Sequence, residues 1–167
     1  MYVNPTEADT YFSTKLQAFK WLNAPPADKT AALSQATQII DRLNFRGIKT
    51  LLWHAYQGSD TLTEEQLRDL HQQQPHEFPR DGATTVPAVI KTACCEIAKA
   101  LLDGYNPDDE HRATATVSEN VGPMGIRSTF DRTRVAAWTQ AGVPSPTAWH
   151  MLLPFLRDPA DISIRRA

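Results

Sequence analysis

Two stretches of the chain repeat their hydrophobic positions every three or four residues, as one face of an α-helix does. The clearer stretch is residues 86–103, where Pro87 suits the first turn and Gly104 suits the C-terminal cap. Its core-facing positions are predicted to be Val89, Ile90, Cys94, Ile97 and Leu101. The pattern predicts that this helix forms the centre of the hydrophobic core.

The second stretch predicts a helix that follows Pro25 and Pro26 and runs to about Leu43. Its apolar stripe consists of Ala32, Leu33, Ala36, Ile40 and Leu43. Gly47 is placed where a left-handed C-terminal cap of this helix is expected. We further expect Cys94 to be buried against this helix, and we expect Cys95 to be dispensable.

A shorter helix is predicted near the start of the chain, with Thr6 as its N-cap and carboxylates in its first turn. Its apolar side is predicted to consist of Tyr11, Phe12, Leu16 and Phe19. This helix would pack against the two longer ones to complete a small bundle.

Residues 51–77 interrupt this pattern with a largely polar segment. Within it, residues 61–74 predict a short surface helix, because Thr63 and Gln66 have the spacing of a capping box. Three leucines could dock this helix: Leu62, Leu67 and Leu70. We interpret the segment as an insertion that lies on the bundle or on a neighbour.

The character of the sequence changes after residue 106. Residues 113–130 are rich in Thr and Val around a Gly-Pro break, which predicts a β-hairpin or a pair of extended arms. A last short helix is expected around residues 145–156, with Pro154 ending it, and the remaining tail is expected to be extended. The predicted fold is mainly α and forms one domain. It consists of a bundle over 1–106 with an insertion at 51–77, followed by a hairpin, a short helix and an extended C-terminal tail over 107–167.

Composition and charge narrow the possible partners. The 167 residues carry a net charge of −2 and show neither a basic excess nor a dense basic run, which weighs against nucleic acid as the main partner. No apolar run approaches the roughly 20 residues of a membrane span, and no signal segment is evident. Cys94 and Cys95 are adjacent, so they form no disulfide framework, and we expect a cytosolic type of chain without membrane contact.

The search for catalytic chemistry gives no candidate that we retain. His71 and His76 lack the spacing of a metal-binding helix, and Pro79 breaks the segment that follows. Ser145, His150 and Asp158 could form a triad only in principle, because no nucleophile motif surrounds the serine. We therefore predict no catalytic residues, no metal site, no cofactor and no enzymatic activity.

Several segments, taken in order, resemble the head–tail connector or adaptor proteins of tailed bacteriophages. The segments are YVNPTEADTYF, the tryptophan at position 21, DKTAALSQATQIIDRLNFRGIKT, FPRDG, VPAVIKTACCEIAKALLDG and VSENVGPMGI. The resemblance covers residues 2–50 and 78–130, about two-thirds of the chain. The same family also carries the label of DnaT-like single-stranded DNA-binding protein.

The resemblance implies a structural virion protein without enzymatic activity. About twelve copies would form a ring in the neck of the virion, below the portal protein of the head and above the next neck or tail protein. The protein would be made in the host cytoplasm, and double-stranded DNA would pass through the ring without specific binding. The C-terminal segment would bind the portal through Ile162, Ile164, Arg165 and Arg166. The insertion could face the lumen, the exterior or the adjacent subunit.

The alternative is a single-stranded nucleic-acid-binding accessory protein. Its contact patch would consist of four basic residues: Arg42, Arg46, Lys49 and Arg80. The same residues could instead serve as caps, as partners of loop ion pairs or as subunit contacts. The salt dependence of binding to single-stranded DNA would separate the two interpretations.

Overall fold

The computed structural model describes residues 1–58, 61–106, 118–121, 126–129 and 136–157, and it is mainly helical. The helices are α1 (Pro5–Phe12), α2 (Phe19–Asn23), α3 (Pro26–Asp41), α4 (Thr50–Gly58), α5 (Glu64–Gln73), α6 (Ala88–Leu102), α7 (Ala137–Gln140) and α8 (Pro146–Leu152). A 3₁₀ turn, Leu153–Phe155, follows α8 directly. The predicted mainly α fold is confirmed.

The core forms around α6, which packs against α3 on one side and α8 on another, while α1 and α2 cover the remaining edge. Its largest fully buried side chains include Trp21, Phe12, Leu33, Ile40, Ile90, Ile97 and Leu152. Both helices predicted from the apolar pattern therefore lie at the centre of the molecule, as expected. Within the described residues, no helix is long and apolar enough to span a membrane.

Helix α6 confirms most of its predicted core positions but not all. Ile90, Cys94 and Ile97 are fully buried, and Leu101 is partly buried against the core. The prediction for Val89 was wrong: its side chain is 43% exposed, because it lies about 100° around the helix from Ile90 and off the buried stripe. The expected helix end is confirmed.

The end of α6 follows the Schellman pattern. Gly104 has φ +100°, its N–H donates to Leu101 O at 3.1 Å, and the N–H of Tyr105 donates to Ala100 O at 3.1 Å. A left-handed φ is a backbone conformation that glycine adopts at little cost. The sequence pattern therefore located this boundary correctly.

The two cysteines of α6 are both buried. Cys94 faces α3 as predicted, with its Sγ 3.7 Å from Thr37 Oγ1 and 3.9 Å from Leu33 O. Cys95 is also buried, because α6 is covered on more than one side. The prediction said only that Cys95 is dispensable and did not include its burial. Burial raises the pKa of the Cys94 thiol to about 11 and that of Cys95 to about 12, so both are thiols at neutral pH.

Helix α1 begins earlier than predicted. Asn4, rather than Thr6, is the N-cap: its Oδ1 accepts the Glu7 N–H at 2.8 Å, and Glu7 Oε2 accepts the Asn4 N–H at 3.0 Å. The helix ends at Phe12, so Leu16 and Phe19 do not join its apolar side and are instead exposed. Those two residues therefore remain without cover from the chain's own core.

Gly47 does not cap α3, which ends at Asp41 with Arg42 as its C-cap. Its φ of +73° belongs to the loop that follows, where a Cβ on Gly47 would lie 2.0 Å from Asp81 Oδ2. Asp81 Oδ1 accepts the Ile48 N–H at 2.8 Å. Glycine is therefore required by the close approach of the two loops at residues 44–49 and 77–83 rather than by the end of a helix.

The predicted insertion contains two helices. The surface helix is confirmed as α5, with the expected capping box between Thr63 and Gln66, whereas α4 was not predicted. We call α4 and α5 together the arm. The Thr50 hydroxyl donates to Ala83 O at 3.0 Å. The ring of Trp53 packs closely on Gly82, where an added Cβ would lie 2.8 Å from the ring carbons. The first turns of α4 therefore attach the arm to the loop at 77–83.

The last residues of the predicted insertion belong to the packed part of the molecule. The side chain of Gln74 is buried, its Oε1 accepts the Leu51 N–H at 3.0 Å, and its Nε2 donates to Pro79 O at 2.7 Å. The interruption of the bundle therefore ends before Gln74 and not at residue 77.

The second half of the chain is described in part. Strands β1 (Ser118–Val121) and β2 (Ile126–Thr129) pair antiparallel, with Val121 opposite Ile126. Residues 122–125, which would form the turn of the predicted hairpin, lie outside the described residues, as do 107–117, 130–135 and 158–167. The last predicted helix is present as α8, where Ser145 Oγ accepts the Ala148 N–H at 3.2 Å and Pro154 lies in the turn that ends it.

Candidate nucleic-acid interface

The structure divides the basic patch suggested by the sequence, because Lys49 and Arg80 point inward. Arg80 donates from Nε to Arg46 O at 2.7 Å and from Nη2 to Gly47 O at 2.6 Å, and it pairs with Glu77. Lys49 Nζ lies 3.4 Å from Glu77 Oε1 and donates to Gln74 O at 3.2 Å. Both basic side chains are only 11% exposed. They hold the loops together, so the prediction that they contact nucleic acid was wrong.

Arg42 and Arg46 remain exposed, and the fold brings a third arginine beside them. The loop after α3 and the segment after the 3₁₀ turn form an antiparallel bridge between Phe45 and Leu156. Arg46 N–H donates to Phe155 O at 2.8 Å, and Arg157 N–H donates to Asn44 O at 2.9 Å. In this register Arg46 and Arg157 are diagonal neighbours, for which Cα atoms are roughly 7–8 Å apart.

These two arginines border a groove of about 420 Å³ between the C-terminal end of α3 and α8. The groove is lined by Leu43, Asn44, Arg46, Trp149, Leu153, Leu156 and Arg157. We call this surface the arginine groove. Among the described residues, its lining contains no carboxylate, and Arg42 adjoins it in the chain.

Other basic side chains of the described residues are occupied elsewhere. Ion pairs join Lys15 to Glu96, Lys29 to Asp9, Lys91 to Glu7, Lys99 to Asp103 and Arg68 to Glu64. The hydrogen bond from the Lys29 ammonium holds the pKa of Asp9 below its usual range, so that pair is charged at neutral pH. Within the described residues, the side chains of Arg42, Arg46 and Arg157 make no ion pair or hydrogen bond.

The groove combines two chemical elements that bind a nucleic acid strand. Guanidinium groups form charge-assisted hydrogen bonds with phosphate oxygens, and their planar fork can contact two oxygens together. The half-buried Trp149 and the exposed Leu153 add an apolar part to the lining of the groove. Aromatic side chains such as that of Trp149 stack with the faces of unpaired bases.

Sequence reasoning missed three members of this groove, namely Trp149, Leu153 and Arg157. The spacing of Trp149, Leu153 and Leu156 at i, i+4 and i+7 was a visible signal that these side chains share one side of α8 and of the turn that follows it. The antiparallel bridge that places Arg157 beside Arg46 is a tertiary contact over more than a hundred residues. No local pattern predicts such a contact.

The structure assigns other roles to residues considered for catalysis or metal binding. His76 Nδ1 lies 2.7 Å from Asp41 Oδ2, His71 is exposed on α5, and the described residues contain no group of three or more potential metal ligands. Ser145 caps α8 and His150 is exposed, while Asp158 lies outside the described residues. That the protein lacks enzymatic activity remains a prediction.

The residues predicted to bind a portal protein lie outside the described residues. They are Ile162, Ile164, Arg165 and Arg166.

A comparison with known protein families gives a match over the whole chain. A family model described as "Putative DnaT-like ssDNA binding protein" matches residues 1–167, the whole sequence. Neither a curated protein nor a solved structure was found to match the chain. Because the match extends from the first helix through the arginine groove to the last residue, the chain belongs to this family of DnaT-like proteins.

Proposed function

We propose that the protein binds single-stranded DNA through the arginine groove. The observation that carries this proposal is the meeting of Arg46, Arg157 and Trp149 at one surface whose described lining contains no carboxylate. The description of the matching family, which names single-stranded DNA binding, supports the same function. Of the two interpretations that the sequence left open, the alternative therefore becomes the first candidate, with a corrected set of residues.

Each part of the groove has a separate task in this proposal. Arg46 and Arg157, with Arg42 at the margin, bind phosphates of the strand backbone. The ring of Trp149 stacks with an unstacked base, and Leu153 adds an apolar contact beside it. A paired and stacked duplex does not offer a base for this contact. The protein therefore prefers a single strand and tolerates different sequences.

The net charge of −2 does not oppose this function. Net charge sums over the molecule, whereas a phosphate responds to the groups within about a Debye length of it, roughly 8 Å at physiological salt. Several carboxylates of the bundle are neutralised by lysines far along the chain, as Glu7 is by Lys91. The arginine groove is consequently a local positive surface on a weakly acidic protein.

Fluorescence anisotropy of a labelled oligothymidine, measured over a range of salt concentrations, tests the proposal. Three phosphate contacts on a single strand predict a slope of about −2 for log K against log salt. Replacing both Arg46 and Arg157 by alanine should reduce the slope to about −0.7, because roughly one contact remains. The affinity at low salt should fall at least tenfold.

Arg68→Ala is the matched control, because Arg68 is an exposed arginine on α5, distant in sequence from the groove. It should leave affinity and slope unchanged. A double variant that binds as tightly as the parent, or equal loss in the Arg68 variant, would show that the arginine groove is not the binding surface. Equal affinity for duplex and single strand would contradict the role given to Trp149.

We also propose a second candidate, a structural subunit that joins the portal of a phage head to the next neck or tail protein. The observation that favours it is a group of large apolar side chains, Leu16, Phe19 and Leu22, exposed on the isolated chain. Subunits of assemblies carry such side chains because neighbours cover them. About twelve copies would form the ring, in line with the phage resemblance.

Electron microscopy of phage particles assembled with and without the protein tests this candidate. A ring below the portal that disappears with the protein would support it. Deletion of residues 158–167 should prevent attachment while preserving the melting temperature, because Ile162, Ile164, Arg165 and Arg166 are the expected portal contacts. Truncated protein that still yields complete particles would contradict the role of the tail.

A further inference from the structure

An apolar surface at the start of the bundle lacks cover. In the segment from α1 to α2, the side chains of Leu16, Phe19 and Leu22 are 103%, 77% and 52% exposed. We call these three residues the apolar knob. Isolated apolar side chains are common on surfaces, but three large ones within seven residues form a patch that a binding partner would cover.

The charge next to the apolar knob is positive. Lys20 donates to Asp103 O at 2.9 Å, a backbone carbonyl that leaves the ammonium charge unneutralised. Lys15 is also exposed, and its Nζ lies 3.4 Å from Glu96 Oε1. A partner that covers the apolar knob is therefore expected to present apolar side chains beside carboxylates.

The arm offers a surface of that kind. Helix α5 carries Leu67 and Leu70, and Leu62 lies just before its N-cap; all three side chains are half-buried, and the helix contains no buried residue. Tyr56 of α4 is exposed beside them in the chain. An amphipathic helix normally buries its apolar stripe against a core, so the stripe of α5 is only partly satisfied.

The charge of this surface is opposite to that of the apolar knob. Helix α5 carries Glu64, Glu65 and Asp69 against the single positive charge of Arg68. Arg68 pairs with Glu64 at 3.6 Å, and Glu65 and Asp69 make no ion pair within the described residues. The arm thus combines the exposed Tyr56 and the half-buried Leu67 and Leu70 with an excess of carboxylates.

The arm and the apolar knob of one chain belong to different parts of the fold. The arm is attached to the loop at 77–83, and the helix that α5 mainly packs against is α4. The apolar knob lies beside α2, which packs on α1 and α6. Contact between the two surfaces therefore requires a second copy of the chain.

We propose that the arm of one copy docks on the apolar knob of a second copy. Leu67, Leu70 and Tyr56 cover Phe19 and its two leucine neighbours, and Glu65 and Asp69 approach Lys20, whose charge no carboxylate neutralises within the described residues. Because each copy offers one knob and one arm, the contact is heterologous, and its repetition produces an open chain or a closed ring.

The small size of the knob sets the strength of this contact. Stable interfaces bury about 800 Å² on each partner, which three side chains do not reach. A single contact is therefore weak, with an expected dissociation constant of about 100 μM. At about 1 μM, far below that value, the protein is mainly monomeric. The inference concerns surfaces separate from the arginine groove and does not depend on DNA binding.

A mixing experiment with two variants, followed by sedimentation velocity, tests the proposal. Phe19→Asp removes the knob but retains the arm, and Glu65→Lys with Asp69→Lys reverses the charge of the arm but retains the knob. At about 500 μM the parent should form species larger than dimers, and each variant alone should remain monomeric. An equimolar mixture should form one-to-one dimers and nothing larger.

The dimers in the mixture arise because the intact arm of the first variant meets the intact knob of the second. Gln38→Ala, an exposed change on α3 outside the arm, the apolar knob and the arginine groove, is the control and should associate like the parent. A parent that stays monomeric at about 500 μM would overturn the proposal, as would variants that associate like the parent or a mixture without dimers. Circular dichroism confirms that all variants are folded, and retained binding of oligothymidine separates this result from the DNA-binding proposal.

Discussion

Helices α6 and α5 have similar patterns but different environments. Both repeat apolar side chains at helical spacing, yet six residues of α6 are buried and none of α5. The reason is that α6 has partners on several sides, whereas α5 packs mainly on α4. The comparison teaches that a periodic pattern predicts a helix and its apolar side, but not whether the molecule supplies a surface to cover that side.

The two helices therefore owe their stability to different sources. Fully burying one Ile or Leu side chain contributes about 1.5–3 kcal/mol, so Ile90 and Ile97 alone make α6 dependent on the packed core. Helix α5 has ten residues, fewer than an isolated helix needs to be stable in water. Its capping box and its contact with α4 compensate only in part, and we expect the arm to open more readily than the bundle.

The largest expected effect comes from placing a charge in the covered part of α6. Cys94→Arg puts a guanidinium where the thiol is fully buried and faces the Leu33 carbonyl and the Thr37 hydroxyl of α3. We expect a loss of about 4 kcal/mol or more in the free energy of unfolding, or no folded protein. Urea denaturation followed by circular dichroism measures the change.

Val89→Arg provides the matched control, because it places the same charge on the same helix at a 43% exposed position. It should change the free energy of unfolding by less than about 1 kcal/mol. Equal losses in the two variants would show that the buried side of α6 has been assigned incorrectly.

The difference between Cys94 and Val89 also shows how far the sequence could predict the fold. The helical period located α3 and α6, and the cap residues Thr63 and Gly104 located the start of α5 and the end of α6. The period could not distinguish Val89 at the edge of the stripe from Ile90 at its centre. That distinction depends on how far α3 and α8 extend over the first turn of α6.

The candidate site was less predictable than the fold. Arg46 and Arg80 are both arginines beside turn residues, and Arg80 turns inward because its guanidinium donates to the carbonyl oxygens of Arg46 and Gly47, which are distant in the chain. Arg157 joins the groove through a bridge between residues 45 and 156. Helix α4 was missed because its polar flanks hide a short apolar run, and Trp53 finds its contact at Gly82, about thirty residues away in the chain.

Truncation of one aliphatic side chain in each helix gives an intermediate effect. Ile97→Ala creates a cavity in the core and should reduce the free energy of unfolding by about 2–5 kcal/mol. Leu67→Ala removes a half-buried side chain from α5 and should cost about 1 kcal/mol or less. Thermal denaturation of both variants measures the ratio, and a larger loss at Leu67 would show that α5 is part of the core.

The smallest expected effect concerns two helix caps with the same chemistry. Thr63 Oγ1 accepts the Gln66 N–H at 3.3 Å at the start of α5, and Ser145 Oγ accepts the Ala148 N–H at 3.2 Å at the start of α8. Replacing such a residue by alanine removes about 1 kcal/mol of helix stability in either place. The consequence should differ, because α8 packs on α6 and the arm does not.

We expect Ser145→Ala to lower the melting temperature of the whole protein, because α8 packs on the core and a loss of stability in α8 therefore destabilises the core as well. Thr63→Ala should leave that temperature within about 1 °C of the parent, because the global transition does not depend on an arm that opens by itself. Its effect should appear instead as about fivefold faster amide hydrogen exchange in α5, the factor that about 1 kcal/mol produces when exchange follows local opening. A Thr63 variant whose melting temperature falls as far as that of the Ser145 variant would show that the arm unfolds together with the bundle.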